Sequence, residues 1–534
     1  MKQRNLIILL IAVLILLLPA LYYLLIDKSV TAVGTAGSST QAATLFGNYC
    51  TPCHGSTGKG DGEIAYLLYP KPRNFAKGMF KLRSTPSGQP PTDEDLAGTI
   101  RKGMPGTAMP SFHFLKQDEI TKLVGYVKDL SQECLDGQPC QNHFAAKTQQ
   151  PIAVPKPLPY SKDLVSKGKD IYAQLGCVQC HGESGTGDGP SATGLKDAWG
   201  YPIQVRDFTR GTYVGGGKPE DLYLRFMGGM DGTPMPSFES TIGFLGNTEQ
   251  ERQELVWSLI HYVKSLEKQR PEGPAPGNGE LAVLSSTTTE SELSDPRAAG
   301  WTKAPGTSIP LSRLWQKNST TAAAVTVRAQ YNGRYIAFLL EWTDTQKEAG
   351  SYRIQDFQDA AAVQFSLTDS ETFLGMGARN NPVNLWFWRS EWQTRVDNPA
   401  VPDIRHTYTN TADDGDVSTY PAAISAVTLL AGRDAMNPIA RESLSSPVED
   451  LNAAGAGTLT SQKPDQQNVK GRGVSDGNKW RVAFVRELRT KDREDIQFKT
   501  GKLYPVAFAI WNGSEKDRNG QKLVSTWYRL NFQE

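Results

Sequence analysis

The stretch LFGNYCTPCHGSTGKGDG at residues 45–62 returns as IYAQLGCVQCHGESGTGDG at residues 171–189. Two more pairs of similar blocks follow in the same order: GMPGTAMPSF (103–112) with GMDGTPMPSF (229–238), and LVGYVKDL (123–130) with LIHYVKSL (259–266). Self-similarity at a near-constant offset is the signature of a repeated structural unit. The first half of the chain is therefore predicted to contain two tandem copies of one domain.

Each copy carries one Cys-x-x-Cys-His motif, formed by Cys50, Cys53 and His54 in the first and by Cys177, Cys180 and His181 in the second. This spacing lets both thiols form thioethers with one porphyrin while the adjacent histidine reaches the iron. The alternatives are a thioredoxin-like pair, which needs no histidine after either motif, and a zinc site, which needs two more ligands per motif. Only Cys134 and Cys140 remain as further cysteines. Two covalent haems c are therefore predicted.

The sixth ligand of each iron is sought among the methionines that recur in the repeat. Met109 and Met235 occupy matching places, and each is followed by Pro-Ser-Phe. A Met/His pair raises the reduction potential and suits electron transfer. Met104 and Met230, a few residues upstream, are alternative ligands. The non-functional alternative is that all four methionines fill gaps in a hydrophobic core. Because Gly-rich loops ending in Met-Pro are poor helical core, we expect Met109 and Met235 to bind iron.

On these motifs, residues 41–268 resemble two tandem class I cytochrome c domains. The resemblance implies two all-α domains, at 41–134 and 161–268, each with a buried iron and one exposed haem edge. A final helix packs across the haem in that family, and DEITKLVGYVKDL (118–130) and QELVWSLIHYVKSL (253–266) have the apolar spacing of such a helix. A Pro-rich linker at 135–160 and a Pro/Gly-rich linker at 269–280 are expected between the domains.

The N-terminus has an uncharged, apolar run at residues 6–26, which is long enough to cross a bilayer as a helix. Lys2 and Arg4 ahead of it predict that this end stays in the cytoplasm. Residues 1–28 are thus predicted to be a single-pass anchor in the cell membrane, with a cleaved signal peptide as the alternative. In both cases the bulk of the chain is expected on the periplasmic side.

The cysteines and histidines outside the two motifs have simpler interpretations. Cys134 and Cys140 are an even pair outside the cytoplasm, so a structural disulfide is expected. His113 lies near Met109 and competes with it as a ligand, but the second repeat has Glu239 at the matching place. His261 is expected to be structural, and His143 and His406 give no signal.

Composition sets limits on the class of protein. The chain has 534 residues, 39% of them hydrophobic, and carries 57 basic against 56 acidic side chains. This length predicts several domains, and the hydrophobic content can build their cores. The balanced charge excludes the basic surface expected of a nucleic-acid-binding protein.

Residues 281–534 differ from the first half of the chain in composition and in the spacing of their apolar residues. AAVTVRAQYNGRYIAFLLEW (323–342) places β-branched and aromatic runs around an Asn-Gly turn, and WRVAFVREL and LYPVAFAIW continue the pattern. A mainly-β sandwich is predicted here. Residues 409–477, rich in Ala, Gly, Ser and Asp, are predicted to be a partly helical or irregular excursion from it.

Several stretches of this region occur in an order that resembles a known family: EWTDT (341–345), QDAAAVQF (358–365), FLGMGARNNPVNLWFW (373–388), SPVEDLNAAGAGTLT (446–460) and NGQKLVSTWYRL (519–530). Together they resemble the haem b-binding subunit of ethylbenzene dehydrogenase. Its relatives are the gamma subunits of dimethylsulfide dehydrogenase, chlorate reductase, selenate reductase and, more distantly, nitrite oxidoreductase, in the DMSO reductase type II group of molybdoenzymes. Unlike those subunits, which usually stand alone, this region follows two cytochromes.

The resemblance implies one non-covalent haem b whose iron is held by Met376 and Lys522. A lysine ligand must be neutral, so it needs an apolar setting that lowers its pKa. Lys502 and Lys516 are the alternatives, and without the resemblance Met376 would be packing and Lys522 a solvated turn residue.

These features predict a membrane-anchored, three-haem electron-transfer subunit without catalytic residues of its own. Its partners would be a molybdopterin/iron–sulfur oxidoreductase and electron carriers of the respiratory chain. The alternatives are a dihaem cytochrome c with a haem-free β-sandwich binding module, or a haem-based redox enzyme with an open coordination site.

Overall fold

The computed structural model describes residues 38–104, 107–134, 139–145, 150–211, 213–268, 279–314, 324–349, 356–368, 372, 374–398, 418–419, 428–429 and 446–533. Among these residues, no helix has both the length and the apolar character needed to cross a membrane. The anchor predicted at residues 1–28 and His406 lie outside the described residues.

The first cytochrome-like unit is helical, as predicted. Its helices are α1 (Ser38–Tyr49), α2 (Thr51–His54), α3 (Asp93–Lys102) and α4 (Gln117–Leu130), with 3₁₀ turns at Ala65–Leu67 and Phe75–Lys77. Helix α4 buries Ile120, Leu123, Val124 and Val127, which is the spacing of one helical face, and this face packs in the same core as Leu45 and Phe46 of α1. The long terminal helix therefore packs on the helix that leads into the motif.

The second unit repeats this arrangement. Its helices are α5 (Lys162–Gln174), α6 (Val178–His181), α7 (Pro219–Gly228), α8 (Glu239–Leu245) and α9 (Glu249–Ser265), with a 3₁₀ turn at Phe208–Arg210. Helices α5 and α9 approach closely at Gly168, where an added Cβ would lie 2.0 Å from the Ser258 carbonyl oxygen. Thr248 caps α9 by accepting a hydrogen bond from the Glu251 amide.

A short hairpin of β1 (Gln132–Glu133) and β2 (Gln141–Asn142) follows the first unit. The predicted disulfide between Cys134 and Cys140 is present beside it. His143, next to β2, places Nε2 2.9 Å from the Ala76 carbonyl oxygen, so this hairpin packs back on the first unit.

The third unit is mainly β, as predicted. Its longer strands are β3 (Glu280–Ser285), β4 (Thr307–Pro310), β6 (Ala324–Tyr331), β7 (Tyr335–Thr343), β8 (Ala360–Ser366), β9 (Val383–Arg389), β12 (Val448–Ala453), β14 (Lys470–Ser475), β15 (Lys479–Glu487), β16 (Tyr504–Trp511) and β18 (Tyr528–Gln533). Two-residue strands are β5 (Ser312–Arg313), β10 (Ser418–Thr419), β11 (Thr428–Leu429), β13 (Thr460–Ser461) and β17 (Leu523–Val524). Helices α10 (Glu290–Ser294) and α11 (Ser390–Asp397) flank them.

These strands, apart from the separate β10–β11 pair, form one hydrogen-bonded sheet that folds over into two layers. The order along it is β13-β12-β9-β8-β16-β18-β3-β6-β7-β15-β14. Side chains from both ends of this path meet in one core: the ring of Phe338 on β7 lies 5.8 Å from that of Trp386 on β9. The predicted sandwich is therefore a single continuous sheet that closes on a shared core.

The prediction of an irregular excursion at 409–477 is wrong for its described end, residues 446–477, which contains β12, β13 and β14. Two features hide these strands in the sequence. Strand β12 buries Asp450, whose carboxylate accepts a hydrogen bond from Asn384 Nδ2. Strand β14 has glycines where the layers touch, and a Cβ at Gly473 would lie 2.2 Å from the Trp388 ring.

Candidate functional site

The two Cys-x-x-Cys-His motifs lie on the short helices α2 and α6 and have the same hydrogen bonding. His54 Nδ1 donates to the Arg73 carbonyl oxygen at 3.0 Å, and His181 Nδ1 donates to the Arg206 carbonyl oxygen at 3.1 Å. A histidine whose Nδ1 is occupied in this way presents Nε2 as the iron ligand. Both histidines are therefore held in the tautomer that a haem c iron requires.

An aromatic ring supports each histidine. The ring centroid of Phe75 lies 4.6 Å from that of His54, and Phe208 lies 4.2 Å from His181, with both pairs stacked. Burial lowers the pKa of each histidine to about 4. The imidazoles are thus neutral at ordinary pH, which is the form that binds a metal.

The predicted methionine ligands lie in two loops with matching hydrogen bonds. Met104 N donates to the Met109 carbonyl oxygen and Met230 N to that of Met235, both at 3.1 Å. In the first loop the Thr107 hydroxyl bonds across the same turn, and Thr233 does so in the second. Each loop is therefore closed and holds its two methionines in a fixed relation.

A cavity of about 350 Å³ lies in the second unit, and its lining fits a haem. Cys177, Cys180 and His181 line it, and so do Met230 and Met235 of the loop described above. Thiols and an imidazole are the groups that would attach and ligate haem c, and one methionine thioether would supply the sixth ligand. The donor set and the apolar lining match the predicted cofactor, with Met230 still an alternative to Met235.

Met376 stands on a strained turn in the third unit. Its φ of 76° lies in the left-handed region that a non-glycine residue rarely adopts. The turn is fixed from three sides: Gly455 N donates to the Met376 carbonyl oxygen at 2.9 Å, Gln364 Nε2 to that of Leu374, and Trp527 Nε1 to that of Thr372. Backbone strain of about 1–3 kcal/mol persists where the surroundings impose it, often at functional sites.

Lys522 has the apolar setting that a neutral lysine requires. Its Nζ lies 4.8 Å from the centroid of the Trp511 ring, and the side chain is half-buried. Burial lowers the pKa of Lys522 to about 8. The alternatives Lys502 and Lys516 are both exposed, so the structure favours Lys522 among the three.

Met376 and Lys522 belong to the same side of the sheet, which we call the outer face (Val383, Leu385, Phe387, Ala507, Ala509 and Trp511). Met376 packs against an apolar cluster on this face that includes Phe387. The rings of Phe387 and Trp511 lie 5.2 Å apart, and Trp511 in turn contacts Lys522.

Small residues form the floor between these side chains. Register places Ala362 of β8 directly between Phe387 and Ala509, so all three share the outer face. A methionine thioether and a lysine amine of lowered pKa beside an apolar face are the groups that would hold a haem b.

Comparison with known proteins agrees with this division of the chain. A family model described as Cytochrome c matches residues 39–131 and 165–267, and one described as Ethylbenzene dehydrogenase matches residues 298–523. The chain has two cytochrome c domains and one ethylbenzene dehydrogenase family domain. Cytochrome c domains imply covalently bound haem c, and the family of the third domain suggests haem b.

Three relatives confirm the predicted resemblance. A protein assigned as respiratory nitrate reductase heme subunit ORF7 of Haloferax mediterranei is 25% identical over 254 residues, which cover 47% of this chain and 72% of the relative. Chlorate reductase subunit gamma of Ideonella dechloratans is 26% identical over 45% of this chain and 80% of its own length. Dimethylsulfide dehydrogenase subunit gamma of Rhodovulum sulfidophilum is 26% identical over 35% and 51% of the two chains.

Two solved structures each match part of this chain. A chain of the Kuenenia stuttgartiensis reducing HAO-like protein complex is 38% identical with a TM-score of 0.38, and the match covers 42% of this chain and 96% of that one. A protein from Bacteroides uniformis assigned as carbohydrate-binding is 8% identical with a TM-score of 0.27, over 48% and 99% of the two chains. Both TM-scores are too low to establish a shared overall fold.

Two other described histidines, His261 and His113, have hydrogen-bond partners of their own. His261 places Nε2 3.0 Å from the Leu158 carbonyl oxygen, in agreement with its predicted structural role. His113 is hydrogen-bonded to Ser111 Oγ at 3.2 Å and lies against Gly279, at the start of the third domain.

Sequence reasoning missed Arg73 and Arg206, whose carbonyl oxygens orient the two ligand histidines. A signal was present, because RNFAKG (73–78) and RDFTRG (206–211) are a further pair of matching blocks in the repeat. It also missed Phe387 and Trp511, since sheet register rather than any local motif brings them to Met376 and Lys522.

Proposed function

We propose that the chain is the three-haem electron-transfer subunit of a molybdopterin/iron–sulfur oxidoreductase. His54 with Met109 and His181 with Met235 would hold the two haem c irons, and Met376 with Lys522 the haem b iron. When bound, these groups supply one-electron chemistry at iron, and the protein contributes binding, orientation and electrostatics. The relatives named as chlorate reductase and dimethylsulfide dehydrogenase gamma subunits support such a partner.

The observation that carries this proposal is the contact of Phe114 with two domains. Phe114 follows the Met109 loop and packs in the core of the first cytochrome c domain. It also packs against the apolar cluster of the outer face that contains Met376, with Leu374 and Trp527 close by. Phe114, which follows the Met109 loop, therefore packs on the same apolar cluster as Met376.

A second contact joins the first cytochrome c domain to the second. Pro70, Lys81 and Thr107 of the first cytochrome c domain line the cavity of the second. The three proposed sites would then follow one another in the order third domain, first cytochrome c domain, second cytochrome c domain. We propose that electrons pass along this series, between the partner at the third domain and the respiratory chain at the second cytochrome c domain. The predicted anchor at residues 1–28 would hold this assembly at the periplasmic face of the cell membrane.

The haem assignment is tested by substituting the proposed haem b ligands in the full-length chain. Met376→Ala and Lys522→Met are expected to remove the b-type haem and to retain both c-type haems, because only the b-type haem depends on these side chains. Pyridine haemochrome spectra measure both haem types. Lys502→Met and Lys516→Met are the matched controls and should keep all three haems. A wild-type chain with c-type haem alone would contradict the proposal.

The partner assignment needs a separate test. Affinity purification of the chain from its native host should bring down a subunit that contains molybdenum and another that contains iron–sulfur clusters. Metal analysis and mass spectrometry of the purified complex check this. A complex that lacks molybdenum would contradict the partner while leaving the haem assignment intact.

A further inference from the structure

The cavity of the second cytochrome c domain is completed by residues of the first. Pro70, Lys81 and Thr107, which line it, all precede the linker between the domains. The second haem site is therefore incomplete without the neighbouring domain.

The boundary that places these residues is well fixed. The guanidinium of Arg83, which is buried in the first domain, lies 2.9 Å from the Asp231 carboxylate of the second and also donates to the Gly228 carbonyl oxygen. Asp231 accepts two more hydrogen bonds from Ser87 Oγ and Gly88 N. The Arg73 guanidinium lies 4.1 Å from the centroid of the Trp199 ring across the same boundary. Lys81 is thus presented to the cavity by a well-bonded interface.

Three of the side chains that line the cavity are cationic, one from the first domain and two from the second. Lys81, Arg206 and Arg225 line it. Among the residues that the structure describes, the side chains of Lys81 and Arg206 have neither a hydrogen-bond nor an ion-pair partner. Arg225 is bonded through one nitrogen to the Arg83 carbonyl oxygen, while its Nε is buried without a partner.

Electrostatics give this cluster an excess of positive charge. Burial lowers the pKa of Lys81 to about 7, and repulsion by Arg73 and Arg206 contributes in the same direction, with Asp197 as the opposing carboxylate. Gathering cations where they are poorly hydrated is costly unless an anion joins them. The ligand expected in this cavity brings such anions, because haem carries two propionate carboxylates.

We propose that Lys81 of the first cytochrome c domain and Arg206 of the second together bind a propionate carboxylate of the haem attached at Cys177 and Cys180. The inference rests on the proposed function, which places that haem in the cavity. Arg206 then acts twice: its backbone carbonyl orients His181, and its guanidinium binds the haem edge. Lys81 is a positioning residue supplied across the domain boundary.

The expected consequence is electrochemical. A cation beside the haem disfavours the additional positive charge of oxidised iron and therefore raises the reduction potential. Losing Lys81 should lower the potential of the second haem c and leave the first unchanged, since the effect is local.

The experiment compares Lys81→Met and Arg206→Gln with wild type in the full-length protein, by spectroelectrochemical titration of the c-type haems. Arg206→Gln keeps the backbone carbonyl that His181 uses. One of the two c-type midpoint potentials is expected to fall in each variant, and it should be the same one. Lys81→Arg should restore it, because arginine keeps the charge. Lys169→Met is the matched control, since Lys169 is exposed on α5, and it should behave as wild type.

Haem content distinguishes the two proposals. Covalent haem is measured first in every variant, so each potential refers to fully loaded protein. If both c-type haems are present and neither potential moves in Lys81→Met or Arg206→Gln, the propionate assignment is overturned and the proposed function stands. A wild-type chain with a single c-type haem overturns the proposed function itself.

Discussion

The two cytochrome c domains are built alike but have different neighbours. Both hold the ligand histidine through a backbone carbonyl, stack a phenylalanine on it and close the methionine loop with a threonine. The first domain contacts the third through Phe114 and the second through Lys81. The cavity of the second domain is lined in part by residues of the first. The repeated sequence therefore accounts for how each histidine is held. The contacts with neighbouring domains account for the differences between the two sites.

The largest expected effect is the loss of an iron ligand. It tests whether the methionine loops of the two cytochrome c domains have the same role. Met109→Ala and Met235→Ala should each remove the sixth ligand from one haem c, because both occupy the same place in the repeat. Absorption and EPR spectra should show one low-spin c-type haem converted to high spin in each variant, with both haems still attached.

The alternative ligands provide the control for that experiment. Met104→Ala and Met230→Ala should keep both haems low-spin. High-spin iron in Met230→Ala but not in Met104→Ala would mean that the two domains use different ligands and that the equivalence fails at the metal.

A smaller effect is expected where the two domains pack differently. An alanine at Gly168 would place Cβ 2.0 Å from the Ser258 carbonyl oxygen, so helices α5 and α9 must separate. Overpacking of this kind costs about 1–3 kcal/mol. Thermal unfolding followed at the haem bands should show a destabilised second domain. Gly47→Ala in α1 is the matched control: a Cβ there meets nothing within 4 Å, and the change should stabilise the helix by up to about 1 kcal/mol. Equal destabilisation by both changes would show that the contact at Gly168 does not matter.

The last expected effect lies in the third domain and depends on pH. Burial, followed by repulsion from Asp344, raises the pKa of Asp359 to about 7. The folded state then keeps a proton that the unfolded state releases above about pH 4, so stability should fall as pH rises from about 4 to about 7. The slope for one proton is at most about 1.4 kcal/mol per pH unit. Asp359→Asn should flatten this slope in calorimetry of the third domain, and Asp476→Asn, an exposed control, should not. An unchanged slope in Asp359→Asn would rule out this carboxyl as its source.

The sequence alone is sufficient to predict a site where its residues are neighbours in the chain. Cys50, Cys53 and His54 act together because they are neighbours in the chain, and the repeat showed them twice. It also predicts Met376 and Lys522 as ligands, although only through resemblance. Their shared outer face depends on the register of β8, β9 and β16, which no local pattern encodes. Lys81 could not have been assigned to the second haem site, because its role arises from the packing of one domain on another.

The backbone carbonyls of Arg73 and Arg206 have a consequence for how this protein can change over evolutionary time. Any amino acid at these positions offers the same carbonyl acceptor to the histidine, whereas the two guanidinium groups make contacts of their own: that of Arg73 stacks on Trp199, and that of Arg206 lines the cavity of the second domain. With the proposed propionate contact, substitution of Arg206 would change the potential of the second haem c while the hydrogen bond from His181 to the backbone is kept. The same architecture could serve partners of quite different potential through substitutions at a few such positions.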